Sequence, residues 1–144
     1  MRRIEPSDLA AATALYARSL IDSMPWLRPE QCHSEAEHRA FFRDVVATRC
    51  DVWLAEEQGG IAGVLAMDGD EVDRLYVATG RQGCGAGSAL LEHAKTLSPA
   101  GLRLVTLQRN RKARRFYEGH GFSEYEYGTS PPPENEPDVW YRWP

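Results

Sequence analysis

A strand that runs straight into a glycine-studded bend and then an amphipathic helix limits the folds open to this chain more than any other feature. The stretch is Val72 to Lys95, VDRLYVATGRQGCGAGSALLEHAK. Val72 to Val77 reads as a strand, Ala78 to Gly85 as the turn, and the glycines fall where the helix begins. The first turn of a helix leaves its N–H groups without intrahelical acceptors and carries the positive end of the helix dipole, so main chain alone can hold an anion there. Gly83, Gly85 and Gly87 remove the side chains that would keep a diphosphate off those donors. Three phosphate-loop patterns compete for the bend. The P-loop ends Gly-Lys-Ser/Thr, and no lysine follows a glycine in this chain. The dinucleotide pattern G-x-G-x-x-G would use Gly83 and Gly85 but meets Ser88 at its last position. Gln108 and Arg109 stand after Leu107 where it needs an acidic residue, which leaves only an NADP variant served by Arg109. The third pattern, Gln-x-x-Gly-x-Gly, is filled by Gln82, Gly85 and Gly87.

A second block stands one strand further on. Asn110, Ala113, Phe116, Tyr117, Glu118, Gly121 and Phe122 fill N-x-x-A-x-x-F-Y-E-x-x-G-F. With the glutamine-glycine bend after LYV, and in that order, this resembles the GNAT superfamily of acyl-CoA-dependent N-acetyltransferases, the likeness covering Val72 to Phe122. The resemblance implies an α/β (α+β) GNAT-like fold with a mixed, largely antiparallel central sheet of about seven strands flanked by about four helices. It also implies acetyl-CoA as cosubstrate and no metal.

Length and composition agree with one such domain over residues 1–144. Hydrophobic content of 42% and charged content of 26% are those of an ordinary globular chain. A net charge of −4 argues against nucleic acid or an anionic membrane as principal partner. With no long apolar run and no signal-like start in MRRIEPSDLA, a cytoplasmic location is expected. Cys32, Cys50 and Cys84 lack CxxC spacing and the four histidines lack a ligand pattern, so neither a disulfide framework nor a metal site is indicated.

In chain order, Met1 to Ile4 reads as a short strand, and Ser7 as the cap of a helix with Leu9, Ala12, Tyr16 and Leu20 on one face. Pro25 and Pro29 bracket an irregular link through Trp26. The capping box Ser34-x-x-Glu37 opens a second helix, whose expected buried face is Phe41, Phe42, Val45 and Val46. Asp51 to Glu56 and Ile61 to Met67 read as a hairpin, and Asp68-Gly69-Asp70 as the turn into the central strand. Three antiparallel strands before the bend speak against a Rossmann unit. Ala86, Ala89, Leu90, Ala94 and Leu97 are the expected packing face of the central helix. Strands follow over Leu102 to Leu107, Phe122 to Tyr127 and Asp138 to Trp143.

The resemblance assigns roles residue by residue. Gln82, Gly83, Cys84, Gly85, Ala86, Gly87 and Ser88 would hold the diphosphate, although Cys84 stands where an Arg or Lys is common and Ala86 where a bulkier residue is. The central strand would carry a bulge and splay from its neighbour, so that main chain near Leu75 and Val77 meets the pantetheine arm and polarises the acetyl carbonyl. Asn110, Ala113 and Phe116 would complete that wall, and Tyr117 would serve as general acid. Glu71 shares the position of the general-base glutamate of histone acetyltransferases, and Asp73 points to the same face if no bulge intervenes. Trp26, His33 and Asn135 are the expected acceptor contacts. The basic residues at 109, 111, 112, 114 and 115 offer partners for a 3′-phosphate.

Two functions fit these residues. One is transfer of acetyl from acetyl-CoA to a primary amine, on a small molecule or a peptide, by direct attack. The other is a CoA-binding regulatory module that has kept the fold without turnover. A homodimer, if formed, is expected to pair through the last strands.

Overall fold

Antiparallel pairing, with short turns after Glu57 and Asp68, builds the first half of the sheet. β1 (Arg2–Arg3) lies against β2 (Asp51–Glu57), β2 against β3 (Gly60–Asp68), and β3 against β4 (Glu71–Val77), every pair antiparallel. Gly69, at φ 62°, closes the second of these turns in the left-handed region that glycine enters without strain. The computed structural model describes residues 1–144. After β4 the chain crosses through α4 (Ala86–Leu97) to β5 (Leu102–Leu107), which runs parallel to β4. It continues through α5 (Arg111–Gly119) to β6 (Ser123–Thr129) and β7 (Pro137–Trp143). The sheet order is β1-β2-β3-β4-β5-β7-β6. One parallel pair among antiparallel ones makes the mixed, seven-stranded sheet that the motifs imply.

Strand β3 explains why the core has two halves. Its run IAGVLAM is buried on both faces, with alternate residues pointing opposite ways. Val64 and Ala66 join Tyr16, Phe42, Val46 and Leu54 beneath α1 (Leu9–Ser23) and the arm that follows it. Leu65 and Met67 join Leu90, Leu91, Leu104, Val139 and Tyr141 beneath α4 and α5. That arm is α2 (Glu35–Phe41), a π-helical turn (Phe42–Val46) and α3 (Ala47–Arg49), unbroken. Counting it once gives four helical segments around the sheet.

Four expectations change. The helix α1 is not capped by Ser7, because Pro6 starts a tight 3₁₀ turn that carries Ser7 with it. Asp8 instead accepts the Glu5 N–H at 2.8 Å and pairs with Arg2 at 2.7 Å. Ser34 and Glu37 do form the capping box, with bonds of 3.1 and 2.8 Å. Beyond it only Phe42 and Val46 are buried. Phe41 swings out beside the Arg74 guanidinium, 5.6 Å from its ring, and Val45 is half-buried. On α4, Ala89 and Leu97 face solvent while Gly87 and Leu91 are buried, so the packed face is Ala86, Gly87, Leu90, Leu91 and Ala94. Finally, β7 lies between β5 and β6, so both its edges are taken and two chains cannot pair through it. The sheet edge beyond it is β6.

Substitution at the arm tests the corrected face. Phe42→Ala is expected to lower unfolding free energy by about 3–5 kcal/mol and Phe41→Ala by less than about 1 kcal/mol, read by urea denaturation.

Candidate active site

A bulge sets up the cleft. The register passes from Ala66↔Arg74 to Met67↔Val72, so Asp73 has no partner on β3 and the strand twists there. β4 and β5 are paired at Glu71↔Arg103, next to the bond from Arg103 N–H to the Asp70 carbonyl at 3.0 Å, and then separate. Ala78 N–H bonds the Ala62 carbonyl at 2.8 Å, and alternation along the antiparallel pair turns the main-chain groups of Leu75 and Val77 the other way, into the gap. Ser19 on α1 occupies the Val77 carbonyl through its hydroxyl at 3.1 Å. The gap opens into a cleft of about 710 Å³, inside the usual range for a small-molecule or cofactor site.

The glycine bend forms one wall. Arg81 N–H bonds the Ala78 carbonyl at 2.9 Å and Ala89 N–H the Gly85 carbonyl at 3.0 Å. Between them, no N–H from Gln82 to Ser88 has an acceptor in the protein. Gly83 and Gly85 hold φ 85° and 91°, with open space where a Cβ would stand. Gly87 serves packing instead. A Cβ there would sit 3.3 Å from Val77 Cγ2 and 3.4 Å from Phe116 Cζ. Arg111 and Lys112 line the same wall, Lys112 bonding Gln82 Oε1. Arg109 also lines the cleft, paired with Glu136 at 3.3 Å and 5.4 Å from the Trp26 ring. Arg114 turns inward to Tyr141 at 3.0 Å and Glu124 at 2.6 Å, away from any ligand. Bare amides, absent side chains and nearby cations form a set of groups that fits a diphosphate.

The opposite wall belongs to α5. Asn110 Oδ1 accepts the Ala113 N–H at 3.1 Å, which caps the helix, and the residue also lines the cleft. Ala113 and Phe116 line the cleft beside Tyr117, whose ring is 5.3 Å from that of Phe116. Burial, reinforced by the neighbouring Tyr76, pushes the Tyr117 phenol above its ordinary range, and no protein group bonds its hydroxyl. It is therefore a protonated donor at neutral pH.

Leu75, Val77, Gln82, Gly83, Gly85, Gly87, Ser88, Asn110, Ala113, Phe116, Tyr117 and Trp26 thus surround one space. Cys84 does not line it, its thiol being turned back onto the Arg81 carbonyl, and Ala86 is buried beneath the bend. Neither Glu71 nor Asp73 lines the cleft. Glu71 pairs with Arg103 at 3.1 Å, and burial raises its pKa against that pairing. Asp73, shifted by the bulge, meets Arg49 at 3.4 Å, and its buried Oδ2 makes no hydrogen bond but lies 3.9 Å from Arg74 Nε. His33 lines a second cavity of about 240 Å³ with Gln31, His38 and Glu134, and Pro25 borders both spaces. Asn135 borders neither. The sequence reading missed Ser19, Asp22 and Ser23 of α1, which line the cleft. Their signal was a polar row at helical spacing at the end of an otherwise apolar stripe. There is no cluster of three or more His, Cys, Asp or Glu able to hold a metal ion, and no helix is long and apolar enough to cross a membrane.

Comparison with known proteins agrees with this fold. The family described as acetyltransferase (GNAT) domain matches residues 48–124. A peptidyl-lysine N-acetyltransferase, YjaB of Escherichia coli (strain K12), is 31% identical over 91 residues, which are 60% of this chain and 61% of that protein. The match therefore spans about three fifths of its length. The solution structure of apo-form YjaB from Escherichia coli superposes with a TM-score of 0.76 at 23% identity, covering 99% of this chain and 95% of that one. A GCN5-related N-acetyltransferase from Rhodopseudomonas palustris gives 0.81 at 18% identity, covering 99% and 92%. At these identities the superpositions speak for the fold.

The bend yields its own test. Gly85→Ala must hold a left-handed backbone at a strain of roughly 1–2 kcal/mol. A lower melting temperature and weaker binding of inorganic pyrophosphate, read by calorimetry, are the expected outcome.

Proposed function

This chain belongs to the GNAT acetyltransferase family, and from that premise we propose that it transfers the acetyl group of acetyl-CoA to a primary amine by direct attack, without a covalent enzyme intermediate. The observation that carries the reading is the run of acceptor-free amides from Gln82 to Ser88 beside main chain exposed at Leu75 and Val77. Acetyl-CoA, when bound, supplies an activated acyl group. The bend holds its diphosphate, with Arg111 and Lys112 adding charge. The N–H groups of Leu75 and Val77 stabilise negative charge developing on the acyl oxygen, a donor of this kind contributing about 3 kcal/mol.

Tyr117 acts on the sulfur. A thiol with pKa near ~8.5 is a stronger acid than this phenol, so full proton transfer from Tyr117 runs uphill. Its hydroxyl hydrogen-bonds the departing thiolate, a smaller contribution than classical acid catalysis.

The acceptor is a primary amine, and the names of the matched relatives point to a lysine side chain on a peptide. Such an amine, with pKa near ~10.4, needs about 4–5 kcal/mol to lose its proton at neutral pH. Glu71, its proton affinity raised by burial, takes that proton through water because its side chain stands off the cleft. Asp73 is the second carboxylate for this role. Trp26 packs against the acceptor, with His33 reached through the adjoining cavity and Asn135 at the outer loop.

One observation favours a CoA-binding module without turnover: neither carboxylate opens directly on the cleft. Release of free thiol from acetyl-CoA across a panel of amines and lysine peptides, beside a calorimetric CoA titration, separates the two. Amine-dependent release is expected, and binding without release on any amine sinks the transferase reading. Tyr117→Phe is expected to lower kcat about 10²-fold with CoA affinity little changed. The wild-type rate is expected to rise with pH through a value above the ordinary carboxylate range, as Glu71 loses its proton. Glu71→Gln is expected to remove that limb, whereas a large loss of rate in Asp73→Asn with the limb kept assigns the base to Asp73.

A further inference from the structure

His120 closes α5 outside the residues that line the cleft, yet it touches one of them. Its Nδ1 stands 2.9 Å from the Phe116 carbonyl and its Nε2 3.1 Å from the Ser88 hydroxyl. A carbonyl can only accept, so Nδ1 carries a proton. In the neutral ring Nε2 is then a bare lone pair, and the Ser88 O–H is spent on it. The serine then offers the first turn of α4 its oxygen lone pairs, which repel an anion. In the imidazolium Nε2 carries a proton and donates it to Ser88 Oγ, so the hydroxyl hydrogen is released and can point into the cleft that Ser88 lines.

We propose that His120 is a positioning residue for the diphosphate, its protonation turning the Ser88 hydroxyl from the imidazole to the anion. This rests on the reading of the cleft as a CoA site. The proton comes from solvent, no bond to carbon changes, and binding of the anion and of the proton favour each other. The groups around the ring define the balance. Lys95 on α4 donates to the His120 carbonyl at 2.7 Å, is paired with Glu92 at 3.0 Å and lies 5.0 Å from the Trp143 ring. The Phe116 ring is 4.6 Å away, and no carboxylate bonds the imidazole. His120 falls at a variable position of the N-x-x-A-x-x-F-Y-E-x-x-G-F pattern, so this coupling is written into the chain's own residues.

The test uses dephospho-CoA, which keeps the diphosphate but lacks the 3′-phosphate whose own titration would overlap. Its affinity is measured by calorimetry at about pH 5.5 and about pH 8, the span over which histidines change charge. The wild-type protein is expected to bind roughly tenfold more tightly at the lower pH, the worth of one hydrogen bond to a charged group. Ser88→Ala, which keeps the imidazole but has no hydroxyl to turn, is expected to lose most of that ratio. His120→Gln and His120→Phe are expected to lose it entirely. The His120 ring signals, followed by NMR, are expected to titrate at higher pH when dephospho-CoA is saturating. An equal pH ratio in wild type and Ser88→Ala, or a ring titration that the ligand leaves unmoved, overturns the proposal while the cofactor reading stands. Failure to bind dephospho-CoA at any pH overturns both.

Discussion

Everything at the candidate site depends on polar main chain that the fold leaves without a partner. A buried N–H lacking an acceptor is unfavourable by about 1–3 kcal/mol, and the bend largely escapes that cost because Gln82 to Gly85 are exposed to solvent. Here the N–H groups from Gln82 to Ser88 stand in a row, and the groups of Leu75 and Val77 open into the same gap. Two devices hold this arrangement. The bulge at Asp73 twists β4 away from β5, and α4 is clamped so that its first turn cannot retreat. Gly63 lets Leu90 press onto β3, where a Cβ would come within 2.7 Å of Leu90 Cδ1, and Gly87 lets the helix meet Val77 and Phe116.

Electrostatics follow the same division. The chain as a whole carries −4, and most of its arginines are paired on the surface, as Arg18 is with Asp22 at 2.9 Å and Arg3 with Asp51 at 2.8 Å. Such exposed pairs contribute little to stability. Around the bend, by contrast, Arg111 and Lys112 stand in the cleft wall with no carboxylate bonded to them. A local excess of positive charge on an acidic protein selects for a small polyanion and against an extended one such as nucleic acid.

Reading the sequence recovered what local rules govern. The strand, bend and helix from Val72 to Leu97, the hairpin turns at Gly59 and Gly69 and the capping box at Ser34 follow from glycine conformations and hydrogen-bond chemistry within a few residues. Most of the residues drawn from the two motifs line one cleft, although bringing the bend and α5 together is the work of the tertiary fold. Its errors came where helical faces had to be aimed. Phe41, Ala89 and Leu97 fit an apolar stripe by spacing, yet a π-helical turn follows Phe41, α4 packs through Gly87 and Leu91, and all three face outward. Cys84 belongs to the glycine signature by position, yet its thiol bonds the preceding turn.

By itself the sequence determined that a glycine bend leads from β4 into α4 and which chain segments flank it, because φ preferences, caps and apolar periodicity act over a few residues. Only the tertiary structure decided that β4 and β5 part after Glu71, that Ser19, Asp22 and Ser23 of a distant helix line the resulting cleft, and that Glu71 and Asp73 stand off it. It also decided that His120 reaches Ser88 across 32 residues and that β7 is enclosed by its neighbours. These are outcomes of how whole elements twist and pack, and the packing of a sheet against its helices is a property of many side chains at once, written in no single stretch of the chain.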